Sequence, residues 1–70
     1  MASHYKPGDR IIYSLNPIKE LKGTIRYLRD DSYEKEMRKK DSFHYYYYID
    51  FDNGKFDTYV HALSIKRIEN

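Results

Sequence analysis

Apolar and polar positions alternate most regularly between residues 43 and 52. Phe43, Tyr45, Tyr47, Ile49 and Phe51 occupy the odd positions, and His44, Tyr46, Tyr48, Asp50 and Asp52 the even ones. A period of two is that of a strand with one face buried. Asn53-Gly54 then interrupts the run. This dipeptide suits a two-residue type I′ turn, whose central residues both need positive φ. The turn predicts a hairpin of residues 43–52 against 55–60. Asp52 then faces Lys55, Phe51 faces Phe56, Asp50 faces Asp57, Ile49 faces Thr58, Tyr48 faces Tyr59 and Tyr47 faces Val60. In that register Phe43, Tyr45, Tyr47, Ile49, Phe51, Phe56, Thr58 and Val60 form a core face. His44, Tyr46, Tyr48, Asp50, Asp52, Lys55, Asp57 and Tyr59 form a wet one. A slip by one residue is expected to be resisted, because it turns Asp50 and Asp57 inward.

The remaining elements pack around this hairpin. Residues 1–6 are expected to be a loose arm, followed by a Pro7-Gly8-Asp9 turn. Residues 10–14 form a first strand, in which consecutive Ile11, Ile12 and Tyr13 imply partial burial on both sides. Residues 15–20 contain Asn16-Pro17 and form a loop, since proline cannot donate to a ladder. Residues 21–29 form a second strand, with Leu21, Gly23, Ile25 and Tyr27 on one face and Lys22, Thr24, Arg26 and Leu28 on the other. Gly23 marks a bulge, a bend or a close backbone crossing. Residues 30–42 are polar apart from Tyr33 and Met37 and are expected to be a long mobile loop, with at most a turn of helix capped by Ser32. A 3₁₀ turn over residues 61–64 and a last strand over 65–68 complete the chain. The expected fold is all-β: a single domain over residues 1–70, built as a five-stranded SH3-like small barrel with one short 3₁₀ turn before the last strand. Closure suits a short chain because it shelters strand edges. A five-stranded OB-type barrel ranks below it, because a helix normally separates its third and fourth strands and here those strands meet at a tight turn.

Composition sharpens this outline. Seventy residues make one domain. A chain of that length buries only roughly 60% of the surface its unfolded form exposes, so its stability margin is thin. With no cysteine there is no disulfide and no thiolate metal site. Nine tyrosines and three phenylalanines must supply the core, and tyrosine tolerates both burial and water. No apolar run approaches the ~20 residues of a membrane span, and the N-terminus lacks the apolar core of a signal peptide. A cytoplasmic setting and a monomer are expected. The net charge is +2, unevenly spread: residues 1–40 hold ten Lys/Arg against six Asp/Glu, and residues 41–70 three against five. That asymmetry allows a basic patch.

Tyr5-Lys-Pro-Gly-Asp-Arg10, Lys22-Gly-Thr-Ile25, Tyr48-Ile-Asp-Phe-Asp-Asn-Gly54 and Ala62-Leu-Ser-Ile-Lys-Arg-Ile68 together resemble the Tudor/KOW branch of SH3-like barrels. The chain as a whole also resembles a family of small prophage-encoded proteins. The resemblance implies an SH3-like barrel in a phage or bacterial cytosolic setting and assigns no activity. Tudor domains bind methylated side chains in a box of aromatic rings. The corresponding positions here hold Leu15, Leu21, Phe51 and Asn53. Only Phe51 matches, and its parity points it inward, whereas a cation needs several ring faces around it.

The candidate ligand-binding surface is the wet face of the hairpin. Tyr46, Tyr48 and Tyr59 are expected there, with Lys22 and Arg26 beside them from the second strand. Rings interleaved with cations can hold single-stranded nucleic acid, by stacking on bases and pairing with phosphates. The same Tyr48–Tyr59 arrangement also serves as a cross-strand pair that needs no ligand. Arg38, Lys39 and Lys40 add a basic run in the loop, which is either a phosphate grip or a solvated surface neutralised by Glu34, Glu36 and Asp41. Asp50, Asp52 and Asp57 cluster near the turn and call for relief by Arg26, Lys55, water or a hard cation. His4, His44 and His61 lack metal-ligand spacing, and His44 and His61 are expected on the surface. Ser14, Ser42 and Ser64 lack a visible base, and no phosphate-cradling glycine loop appears. No catalytic residue, metal or cofactor is expected. Two functions remain: a protein-interaction module working through exposed tyrosines, which are enriched at interfaces, and a single-stranded nucleic-acid-binding accessory barrel.

Overall fold

Five short runs rich in β-branched and aromatic residues become strands, and the polar stretch between the second and third becomes a helix. The structure, a computed structural model, describes residues 5–14 and 17–69. In chain order it contains β1 (Arg10–Ser14), β2 (Glu20–Leu28), α1 (Ser32–Lys40), β3 (Tyr46–Phe51), β4 (Phe56–His61), a 3₁₀ turn (Ala62–Ser64) and β5 (Ile65–Ile68). All pairings are antiparallel within one sheet of order β4-β3-β2-β1-β5. Among the described residues no ladder joins β4 to β5, so the sheet has two open edges. No helix among these residues is long and apolar enough to cross a membrane.

The buried cluster is Ile11, Ile25, Tyr47, Ile49, Val60 and Ile65, with Tyr5, Tyr13, Leu28, Tyr45, Phe51 and Ala62 half-buried against it. Burying an isoleucine or valine side chain contributes roughly 1.5–3 kcal/mol, so these few residues hold the sheet together. The inward parity of Tyr47 and Ile49 on β3 is as the alternation requires. Ile11 and the adjacent Ile12 are both buried, so β1 is covered on both sides. The Tyr47 hydroxyl accepts a hydrogen bond from the Tyr5 backbone N–H at 3.1 Å, and the two rings meet edge to face at 5.6 Å. Tyr5 is therefore pinned to the core rather than part of a loose arm. Residues 1–4, like Leu15 and Asn16 of the expected loop and ring box, lie outside the described residues.

Gly23 is a close crossing. A Cβ there would stand 2.8 Å from the Asp50 carbonyl oxygen and 2.9 Å from Ile49 Cγ2. The residue sits in regular register, opposite Ile11 on β1 and Phe51 on β3.

The hairpin turn differs from expectation. Gly54 has φ +89°, but Asn53 does not have positive φ. The Gly54 N–H donates to the Phe51 carbonyl at 3.1 Å, and the Phe51 N–H to the Lys55 carbonyl at 2.8 Å. This is a three-residue loop over Asp52, Asn53 and Gly54, with the glycine in the left-handed position. One more residue in the loop moves the register near the turn by one: Asp50 faces Phe56 and Ile49 faces Asp57. Nearer the base, Tyr47 faces Val60 as expected. The two registers are reconciled by a bulge in β4, where Thr58 and Tyr59 together face Tyr48. Phe56, expected in the core, thereby joins the outer face and is 62% exposed. Asp57 takes the inward parity but stays exposed, because β4 is an edge strand.

A second bulge lies on the other side of Tyr48. Ile25 faces Ile49 and Tyr27 faces Tyr48, leaving Arg26 as the extra residue of β2. Beyond it the faces exchange: Tyr27 becomes exposed, and Leu28 packs against the core. The expected assignment of these two residues is therefore reversed. Phe43 also leaves the core, at 67% exposure, because β3 begins only at Tyr46.

The 30–42 segment, expected to be a loop, holds the nine-residue helix α1. Asp31, not Ser32, caps it, its Oδ1 accepting from the Glu34 N–H at 3.0 Å. Arg38, Lys39 and Lys40 in the last turn complement the helix dipole.

Candidate functional site

The two bulges opposite Tyr48 build the outer face of the sheet. A bulge bends its strand and sharpens the local twist, so the side chains of β2 and β4 are re-aimed toward the middle strand. Tyr48 is flanked by Tyr27, with ring centroids 5.2 Å apart, and by Phe56, stacked at 5.7 Å with planes 18° apart. The Arg26 guanidinium lies over the Tyr48 ring, 5.4 Å from its centroid. One turn of the pleat away, Tyr46 stacks on Tyr59 at 4.0 Å. His44 and His61 each meet Tyr46 edge-on at 4.8 Å. The structure thus brings together Arg26, Tyr46, Tyr48 and Tyr59 as expected, and adds Tyr27 and Phe56.

The cations are largely committed. Arg26 Nη1 bonds Asp50 Oδ2 at 2.5 Å, and this hydrogen bond raises the guanidinium pKa further. Lys22 lies toward the hairpin turn, where its carbonyl accepts from the Asp52 N–H and its Nζ pairs with Glu69 at 3.0 Å. Lys39 pairs with Glu36 at 3.3 Å. Arg38, expected in an exposed basic run that either grips phosphate or is simply solvated, is a half-buried clamp. Its guanidinium donates to the Arg29 carbonyl at 2.5 Å, the His44 carbonyl at 3.0 Å and Asp30 at 2.7 Å, and it covers the Tyr45 ring at 4.9 Å. Of the basic run, Lys39 and Lys40 remain exposed.

The three aspartates near the turn have separate partners. Asp50 holds Arg26, and Asp57 Oδ1 accepts from the Tyr59 N–H at 3.0 Å. Asp52 takes a two-pronged bond from Arg10, at 2.7 and 2.6 Å. Of the reliefs expected, Arg26 is found at Asp50, while at Asp52 the partner is Arg10 rather than Lys55, and its hydrogen bond holds the Asp52 carboxyl below its ordinary range. Among the described residues no group of three His, Asp or Glu side chains is arranged to hold a metal ion.

Sequence reasoning missed the buried pair beneath α1. Glu34 and His44, expected to be solvated, are 2% and 7% exposed, with Glu34 Oε1 2.7 Å from His44 Nε2. The Tyr59 hydroxyl has its pKa raised chiefly by burial and secondarily by the charge of the Glu34 carboxylate. Tyr33 covers His44 edge-on at 6.3 Å. A signal was present in Asp31-x-x-Glu34, the spacing of a helix N-terminus with an acidic third position, and in Glu34 and Arg38 one helical turn apart.

No known family model, curated protein or solved structure matches the chain.

Proposed function

We propose that this chain is a small SH3-like barrel that acts as a non-enzymatic binding module and docks a partner protein on its outer aromatic row. The strand order and the 3₁₀ turn before β5 support the barrel. The observation that carries the docking role is the row Tyr27–Tyr48–Phe56, whose rings rest on one another while Tyr27 and Phe56 stay about half or more exposed. Rings fixed in place lose little side-chain freedom on binding, and aromatic residues are enriched in interface cores. The occupant that fits is a polypeptide segment offering apolar side chains to the rings and backbone groups to the tyrosine hydroxyls. Single-stranded nucleic acid fits less well, because the charge of Arg26 is already met by Asp50 and that of Lys22 by Glu69.

Peptide-display selection, followed by amide chemical-shift mapping of the selected peptides, tests this role. Peptides with apolar anchors should shift Tyr27, Tyr48 and Phe56 and bind the Tyr48→Ser, Phe56→Ser double variant at least about tenfold more weakly, as for loss of an interface anchor. Peptide shifts confined to another face would overturn the assignment. So would a single-stranded oligonucleotide that binds the row with a steep salt dependence.

A further inference from the structure

An amphipathic helix is normally held by an apolar stripe. α1 has none: Glu34 is its one buried residue, Met37 and Arg38 are half-buried, and Tyr33 is exposed. The helix meets each strand only sparsely. Its attachment is polar. Glu34 bonds His44, and Arg38 bonds the carbonyls of Arg29 and His44 and the carboxylate of Asp30. Nine residues also fall short of the ~12–15 that an isolated helix needs. Once detached, α1 has nothing to keep it wound.

Packing on the other side of this contact is different. The sheet is held by Ile11, Ile25, Tyr47, Ile49, Val60 and Ile65, none of which belongs to α1 or to its flanking turns. A region with few buried apolar contacts opens at lower free energy than the core it leans on.

We propose that α1 is a lid latched by the Glu34–His44 pair. It opens and unwinds as a unit while the five-stranded sheet stays folded. Opening bares His44, which is packed between the rings of Tyr33 and Tyr46, and removes Glu34 from Tyr59. The stacked Tyr46–Tyr59 pair then becomes accessible from the helix side, on the same sheet face as Tyr48. The lid stands on the packing of α1 alone and does not depend on what docks on the outer row.

Amide hydrogen exchange followed by NMR tests it. In the unaltered chain, the Lys35 and Asp41 amides, which bond the Asp31 and Met37 carbonyls, should exchange through openings almost insensitive to low urea. The Ile25 amide, bonded to the Asp9 carbonyl, should exchange through openings that rise steeply with urea, because they expose the core. Glu34→Gln keeps the side-chain shape but removes the charge. It should raise the opening equilibrium at Lys35 and Asp41 about tenfold, the scale of a hydrogen bond to a charged group, and that at Ile25 by the same factor, because global unfolding breaks the latch too. Val60→Ala, in the core, should raise the opening equilibrium at Ile25 alone. Equal urea slopes for α1 and Ile25 in the unaltered chain would overturn the lid, whether or not the variant folds. A Glu34→Gln chain with α1 exchange unchanged would overturn the latch, and a Val60→Ala chain in which α1 exchange rises together with that of Ile25 would overturn the lid.

Discussion

Tyr46 and Tyr59 lie face to face, ring centroids 4.0 Å apart and planes 9° from parallel, although they are not partners in the ladder. Tyr46 is paired with His61. Tyr59 reaches the ring because it belongs to the β4 bulge, where two residues share one position opposite Tyr48. Aromatic pairs contribute about 0.5–1.5 kcal/mol beyond the area they bury. Tyr59→Ser should therefore lower unfolding free energy by at least about 1 kcal/mol, read as a lower urea midpoint with an unchanged slope.

The three-residue loop makes Gly54 and Asn53 unequal. Nothing lies within 4 Å of a Cβ built on Gly54, so the cost of Gly54→Ala is that of φ +89° alone, about 1–2 kcal/mol. Asn53→Ala loses only the bond from the Lys55 N–H to Asn53 Oδ1, about 0.5–1.5 kcal/mol. A two-residue turn would demand positive φ at both positions and penalise both changes alike. Chemical denaturation of the two variants distinguishes these loops.

Gly23→Ala is a different kind of change. The added methyl meets the Asp50 backbone oxygen at 2.8 Å, and backbone in a ladder cannot move aside cheaply. Overpacking of this kind costs about 1–3 kcal/mol, and each kcal/mol lowers the melting temperature of so small a domain by roughly 4–8 °C. A melting temperature within 2 °C of the unaltered chain (about 0.5 kcal/mol or less) would contradict the close crossing.

Stability should also fall on the acid side. The hydrogen bond from Arg10 holds the Asp52 carboxyl below its ordinary range, as Arg38 does for Asp30 and Lys66 for Glu20. A folded-state pKa below the unfolded one stabilises at pH values above the unfolded value of about 4 and is lost as pH falls through the folded value. The urea midpoint should be level near neutral pH and decline under acid, and Asp52→Asn should flatten that decline.

Tyr47 gives the opposite sign. Burial raises its pKa above 10. Its contribution is complete below pH 10, the unfolded value, and disappears as pH rises through the folded one. Alkaline unfolding should therefore be shifted to higher pH in Tyr47→Phe, even though that variant loses the Tyr5 N–H acceptor and is less stable at neutral pH. Absorbance of tyrosinate and far-ultraviolet circular dichroism, recorded together, follow both events.

Strand positions were legible because alternating apolar residues and the breaks at Pro7-Gly8 and Asn53-Gly54 mark them directly. The inward parity of Tyr47 and Ile49 followed for the same reason. The bulges were not legible. Tyrosine is at home on either face, so neither Arg26-Tyr27-Leu28 nor Thr58-Tyr59 shows from composition that a residue is supernumerary. Asn-Gly likewise serves two loop lengths, and only the pairing of Phe51 with Lys55 separates them. α1 was hidden because a search for an apolar stripe overlooks a helix whose inward residue is a glutamate.

Two of the three register shifts among the described strands stand across from Tyr48, the third lying between β1 and β5, and each works like a shift of reading frame by one. Upstream of Arg26 odd-numbered residues point inward; downstream, even-numbered ones do. Removing a single residue between Ile25 and Leu28, or between Asp57 and Val60, would take out the supernumerary residue and leave a regular ladder in which Leu28 and Val60 still face inward. Loss of one residue at either place should therefore be far better tolerated than loss of one elsewhere in β2 or β4, and a relative shorter by one there should keep its ring and its aliphatic residue in the same order.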